Sequence, residues 1–266
     1  MCLECRQSPL GGLGLFATKN IEPGDTLLED SEYVLESYTI EDCPEWYWEL
    51  MSHSTSNEKL EIARGIFTTN GVVYDGSTYV YKMFSRFNHS CKPNAINFPT
   101  SDKCMIVVAG KPIQKDDEIL ISYLAPSNHT VLCPGAHRAY LQSSFHFDCG
   151  CVPCEALESI FKEWDDLMSL PYNEISNAYD KVCLLQEDFP LLASRIIGSI
   201  ILACIQQLDS YSRLPKAREK IKDKILLYKL HFDELTRVYF MNYPTSQPMR
   251  VCEELGKSIK TAIKLS

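Results

Sequence analysis

Three cysteines in the run Cys149-Gly150-Cys151-Val152-Pro153-Cys154 constrain this chain more than any other feature. Their C-x-C-x-x-C pattern is one short of the four soft ligands that a structural zinc takes in a closed tetrahedral site. Cys91, within Arg86-Phe87-Asn88-His89-Ser90-Cys91-Lys92-Pro93-Asn94, can supply the fourth, with His89 as the alternative ligand. A metal held this way ties the middle of the chain to a point far downstream.

The chain holds 12 cysteines in 266 residues, which invites a disulfide framework. Its start, Met1-Cys2-Leu3-Glu4-Cys5-Arg6, lacks the basic-then-apolar order of a secretory signal. The expectation is therefore an intracellular protein of the nucleus or cytoplasm, with some cysteines on metal and the others as buried thiols. Cys43, Cys104, Cys183, Cys204 and Cys252 stand alone and read as core; Cys2 and Cys5 form a C-x-x-C with no second pair. No apolar run approaches the ~18 residues of a membrane span. Of the net −9, about −8 falls before Glu155. Such an acidic part disfavours nucleic acid, whose phosphates need lysine and arginine patches, and suits a basic, lysine-containing polypeptide. Charge that merely solubilises is the competing reading.

Up to Cys154 the pattern is of short strands. Gly11-Gly12-Leu13-Gly14-Leu15-Phe16-Ala17 joins a glycine turn to apolar flanks, and Glu22-Pro23-Gly24-Asp25 is a turn before a strand at Thr26-Leu27-Leu28-Glu29. Cys104–Ala109 and Glu118–Tyr123 are strand-like, with a turn at Gln114–Asp117. An insertion at about 40–66, carrying Trp46, Tyr47 and Trp48, looks helical. Beyond Cys154 the apolar residues take helical spacing: Leu157, Ile160, Phe161, Trp164; Leu191, Leu192, Ile196, Ile197, Ile200; Ile225, Leu226, Leu230, Leu235. The expected organisation is α+β: a β-rich domain over 1–154, then an α-helical domain over 155–266.

The Asn-His-Ser-Cys-x-Pro-Asn string at 88–94, Ile121-Ser122-Tyr123 and the cysteine cluster resemble, in that order, the SET-domain family of protein lysine methyltransferases. The resemblance covers Leu10 to Cys154 and points to the SMYD-like branch, which Tyr243-Pro244 and Glu253-Glu254-Leu255-Gly256-Lys257 also echo. No MYND-type Cys/His series interrupts the first part, and the helical tail is shorter than in the best-known members. The resemblance implies a SET fold with a knot-like threaded segment that carries Asn88 and His89, and a zinc-bound post-SET loop at 145–154. It further implies a methyl transfer from S-adenosylmethionine to a lysine of a histone or non-histone protein.

Residue by residue, the resemblance places Gly12, Leu13 and Gly14 along the cofactor, glycine removing the Cβ that would block approach. Gly12-Leu13-Gly14 is not the dinucleotide fingerprint, because no helix follows and the full glycine series is missing. Asn88 and His89 are placed at the adenosine and amino-acid ends, since a carboxamide both donates and accepts. The competing reading is that Asn88, Ser90 and Asn94 serve only turn backbone. Asn70 matches another cofactor asparagine, against a plain Asn70-Gly71 turn. Tyr123 is the expected catalytic residue, orienting methyl group, sulfonium and amine. Phe147 is expected on the adenine; Phe145 and Ile121 on the lysine channel, Ile121 where many relatives carry Phe or Tyr. Zinc falls to Cys91, Cys149, Cys151 and Cys154. A catalytically inactive SET-fold scaffold retaining zinc is the rival class, and the C-terminal helices could seat a protein partner.

Overall fold

The computed structural model describes residues 2–36, 39–90, 92–123, 134–147, 172–183, 190–210, 213–240 and 247–264. Chain segments before residue 124 form short strands arranged in small sheets. β1 (Leu3–Gln7) and β2 (Leu13–Ala17) make an antiparallel hairpin with Cys5 opposite Leu15. The hairpin turns at Ser8–Gly12, where the Ser8 N–H donates to the Gly12 carbonyl at 2.9 Å and Gly12 takes φ +63°. That left-handed backbone suits glycine, which has no Cβ to strain.

β3 (Thr26–Asp30), β8 (Ala95–Pro99) and β9 (Met105–Ala109) form one antiparallel sheet with β9 in the centre. All of β9 is buried because both of its faces are covered. Met105, Val107 and Ala109 enter the main core with Leu15, Phe87 and Ile119, while Ile106 and Val108 join Ile96 and Phe98. Period-two alternation between two apolar layers is why the run reads as uninterrupted hydrophobic sequence. A second sheet orders β4 (Tyr33–Leu35), β6 (Ser77–Tyr81) and β5 (Val72–Tyr74), the last two joined by the left-handed pair Asp75-Gly76.

Residues 40–66 hold two short 3-10 turns, Ile40–Asp42 and Glu45–Glu49, and the first part of α1 (Lys59–Asn70). Tyr47 anchors them: its ring is fully buried and its hydroxyl donates to the Ala63 carbonyl at 2.8 Å. β7 (Asn88–His89) pairs in parallel with β10 (Leu120–Ile121). The strand expected over Glu118–Tyr123 is thus divided. Residues 117–119 bond β2, through Ala17 N–H to Asp117 O and Ile119 N–H to Leu15 O, and 120–121 turn to β7. One extended segment therefore bridges the β1–β2 hairpin and the Asn88-His89 strand. Residue 91 and residues 124–133 lie outside the described residues.

After α2 (Pro134–Phe145), the described chain is helical: α3 (Tyr172–Cys183), α4 (Pro190–Ser210), α5 (Pro215–Phe240) and α6 (Gln247–Lys264). They close on a core of their own that includes Ile196, Ile197, Ile200, Cys204 and Ile225. On α5 only part of the expected apolar stripe faces the core: Ile225 is buried and Leu235 packs against it. Ile221, Ile225, Tyr228 and Phe232 are buried, whereas Leu226 and Leu230 are 48% and 69% exposed. Steps of three and four keep the first set on one face, whereas at 100° per residue Leu226 and Leu230 fall about 130° and about 170° from its centre. No helix among the described residues is long and apolar enough to cross a membrane. Residues 148–171, including the expected boundary at 154/155 and Leu157–Trp164, lie outside the described residues.

Candidate active site

The site is built where β2, β7 and the 117–121 segment meet. Asp30 prepares one side: its carboxylate accepts the Met83 and Phe84 N–H groups at 2.7 and 2.9 Å, capping the 3-10 turn Phe84–Arg86 that leads into β7. Burial raises the Asp30 pKa despite those bonds, which pull the other way. Asn94 prepares the other side. Its Nδ2 donates to the Glu118 carbonyl at 2.9 Å and its Oδ1 accepts the Leu120 N–H at 2.7 Å. The side chain of Asn94 bonds backbone at both ends and holds β10 in register beside β7.

Asn88 faces the glycine hairpin. Its Nδ2 donates to the Leu13 carbonyl at 3.1 Å and to Glu118 Oε1 at 2.7 Å. Glu118 Oε2 accepts the Ser8 hydroxyl at 2.9 Å. Gly14 is indispensable to this contact. A Cβ built there would stand 2.2 Å from Glu118 Oε1 and 3.0 Å from Asn88 Nδ2. Its missing Cβ makes room for a protein carboxylate, a role separate from the ligand approach that the family resemblance implies. Around Gly12 the space is easier, with Met51 Cε the nearest atom to such a Cβ at 3.8 Å. Asn70 ends α1 there, donating through Nδ2 to the Met51 and Ile66 carbonyls, both at 2.9 Å. Leu13 and Gly14 thus lie against Asn88, whereas Asn70 is linked to Gly12 through Met51 and spends its amide hydrogens on backbone.

His89 is buried, and its Nδ1 accepts the Tyr123 N–H at 3.0 Å. An accepting Nδ1 places the proton of the neutral ring on Nε2. Tyr123 donates its hydroxyl to the Phe87 carbonyl at 2.7 Å. Burial, and after it the negative charge of Glu118, hold the phenol well above the ordinary tyrosine range. The hydroxyl is therefore a neutral dipole of fixed direction, unsuited to act as a phenolate base. The end of α2 brings an aromatic wall: the Phe145 ring lies 4.7 Å from Tyr123, and Phe147 lies 5.8 Å from His89 and 6.3 Å, edge-on, from Tyr123. Ile121 is 2% exposed and packs in the main core beneath this group.

Cys91, Cys149, Cys151 and Cys154 lie outside the described residues, and among the described residues no group of three or more His, Cys, Asp or Glu could hold a metal. Cys5 is exposed on β1 and Cys2 points its thiol at the Leu27 carbonyl. Cys204 is buried, which pushes its thiol up to about 12. Sequence reasoning missed Glu118 and Ser8 as site residues: Glu118 read only as the first residue of the strand-like run 118–123, after the turn at Gln114–Asp117.

Residues 12–124 match the SET domain family. A Saccharomyces cerevisiae protein named "potential protein lysine methyltransferase SET6" is 35% identical over 83 residues, 31% of this chain and 21% of that protein. A SET and MYND domain-containing protein of Dictyostelium discoideum is 35% identical over 82 residues, 30% of this chain and 14% of that protein. The chain thus spans about a fifth or less of those relatives' lengths. A solved structure, described as a "putative histone methyltransferase" of Plasmodium falciparum, aligns with 48% of this chain and 96% of its own at 24% identity. Its TM-score is 0.33. The segment 12–124 of this chain is a SET domain.

Proposed function

We propose that this chain is a protein lysine N-methyltransferase that uses S-adenosylmethionine. The observation that carries the reading is the Tyr123 hydroxyl, locked onto the Phe87 carbonyl at 2.7 Å beside His89, Phe145 and Phe147 within a SET domain. The donor set fits the cofactor. Asn88 and the Glu118 carboxylate suit a cationic amino-acid group, and the face of Phe147 suits a flat heterocycle. S-adenosylmethionine supplies the methyl group and accepts the electron pair of the broken carbon–sulfur bond.

The chain's own residues supply alignment and exclusion of water. Because its proton is committed to Phe87, the Tyr123 oxygen keeps its lone pairs, which can steer a polarised methyl group and an incoming amine. Phe145 and Phe147 desolvate that amine, which favours its neutral, nucleophilic form. Orientation of this kind can lower a barrier by several kcal/mol without a covalent intermediate. Zinc on Cys91, Cys149, Cys151 and Cys154 belongs to the same proposal: four thiolates complete a tetrahedral set and would tether residues 145–154, hence the aromatic wall. The acidic SET portion favours a basic, lysine-bearing segment of an intracellular protein as substrate. The test is incubation with methyl-labelled S-adenosylmethionine and a protein extract, followed by mass spectrometry. Label on lysine side chains is expected. Cofactor binding without any label would favour the inactive scaffold.

A further inference from the structure

We propose that Glu118 is the positioning residue of the cofactor pocket. Its carboxylate fixes Asn88 and makes the pocket prefer the sulfonium S-adenosylmethionine over its uncharged thioether product, S-adenosylhomocysteine. The proposal rests on the methyltransferase reading and extends it to a residue that was not among the expected site residues.

The carboxylate is held at both oxygens by partners distant in sequence. Asn88 Nδ2 donates to Oε1 at 2.7 Å and the Ser8 hydroxyl to Oε2 at 2.9 Å; Ser8 Oγ itself accepts the Leu10 N–H at 3.0 Å. Gly14 leaves the space the carboxylate occupies, since a Cβ there would fall 2.2 Å from Oε1. Asn88 also donates to the Leu13 carbonyl at 3.1 Å. With its amide hydrogens committed on that side, Asn88 can offer a ligand only its Oδ1 acceptor, which selects a donor such as an ammonium group. Glu118 therefore decides which end of the carboxamide faces the pocket.

Its charge also reaches the reaction centre. The Glu118 carboxylate acts on the Tyr123 hydroxyl, where it disfavours a second negative charge. The same field favours a positive one. S-adenosylmethionine and S-adenosylhomocysteine share their ammonium and carboxylate and differ by the sulfonium charge and its methyl group. A unit charge acting over about 10 Å at an effective dielectric constant of about 20 changes affinity for a cation by roughly tenfold. Product without that charge leaves more readily, which is useful where release follows each transfer.

Calorimetry on the full chain tests this with both ligands. In Glu118→Gln the shape and hydrogen-bonding capacity survive but the charge does not. Affinity for S-adenosylmethionine should fall about tenfold and for S-adenosylhomocysteine about threefold or less, so their ratio drops. Ser8→Ala, which keeps the charge and loosens the carboxylate, should weaken both ligands by one common factor. An unchanged ratio in folded Glu118→Gln overturns the role of Glu118, while wild-type binding of both ligands leaves the methyltransferase reading standing. A wild type that binds neither ligand overturns both. Should Glu118→Gln fail to fold, Glu118→Asp carries the test. It keeps the charge but draws it back from Asn88, so both affinities should fall with their ratio preserved; unmoved affinities or a collapsed ratio refute the proposal.

Discussion

Replacing Tyr123 by Phe removes one oxygen and leaves most of the site in place. The ring keeps its contacts with Phe145 at 4.7 Å and His89 at 5.2 Å, and the Tyr123 N–H still donates to His89 Nδ1. What is lost is the 2.7 Å bond to the Phe87 carbonyl and the oxygen itself. One intramolecular hydrogen bond of this kind is worth about 1 kcal/mol net, so melting should move by only a few degrees. If the hydroxyl acts mainly in the transition state, single-turnover methyl transfer should fall about a hundredfold, roughly 2.7 kcal/mol. Cofactor dissociation constants should stay within about threefold, because ground-state binding does not use the oxygen. The assay pairs rapid-quench transfer to a lysine-containing peptide that the wild type methylates with calorimetry. An undiminished rate would remove Tyr123 from the centre of the mechanism. A dissociation constant rising by the same factor as the rate falls would show that the hydroxyl acts in binding instead.

Asn88→Ala should weaken S-adenosylmethionine and S-adenosylhomocysteine alike by roughly 1.5–3 kcal/mol, since both carry the group Asn88 addresses; equal calorimetric constants for variant and wild type would place the cofactor elsewhere. Cys151→Ala should lose zinc and cofactor affinity together, because Phe147 would no longer be tethered; full zinc by metal analysis in that variant refutes the ligand set. His53 supplies a pH dependence. Burial first, then the adjacent His146 ring at 4.4 Å, lower its pKa from the ordinary 6.5, against a hydrogen bond to the Phe145 backbone. The folded state then disfavours the protonated ring, so this contribution to stability is complete above about pH 6.5 and is lost as pH falls through the lower folded value. Melting followed from pH 7.5 to 5.5 should show that loss, and His53→Gln should flatten it; an identical slope in the variant would exclude His53.

The residue types that carry the proposed chemistry were legible in the chain alone. Asn88, His89 and Tyr123 stand in strings whose order is informative, and the strand at 105–109 follows from its apolar run. The turn at Gln114–Asp117 likewise forms, closed by Asp117 N–H to the Gln114 carbonyl at 3.1 Å. These are local properties: side-chain chemistry, backbone preference and spacing act within a few residues. Which face of α5 is buried was not local, because Leu226 and Leu230 are as apolar as Ile225 and only the neighbouring helices choose among them. The same holds for Glu118. Nothing in an acidic residue after two aspartates announces that it will meet Ser8 and Asn88. That meeting exists because one extended segment pairs with β2 and then with β7, closing contacts between residues distant in sequence. Local sequence selects the functional groups, whereas only the long-range strand pairing decides which atoms of Asn88, Glu118 and Tyr123 are spent on the protein and which are left for a ligand.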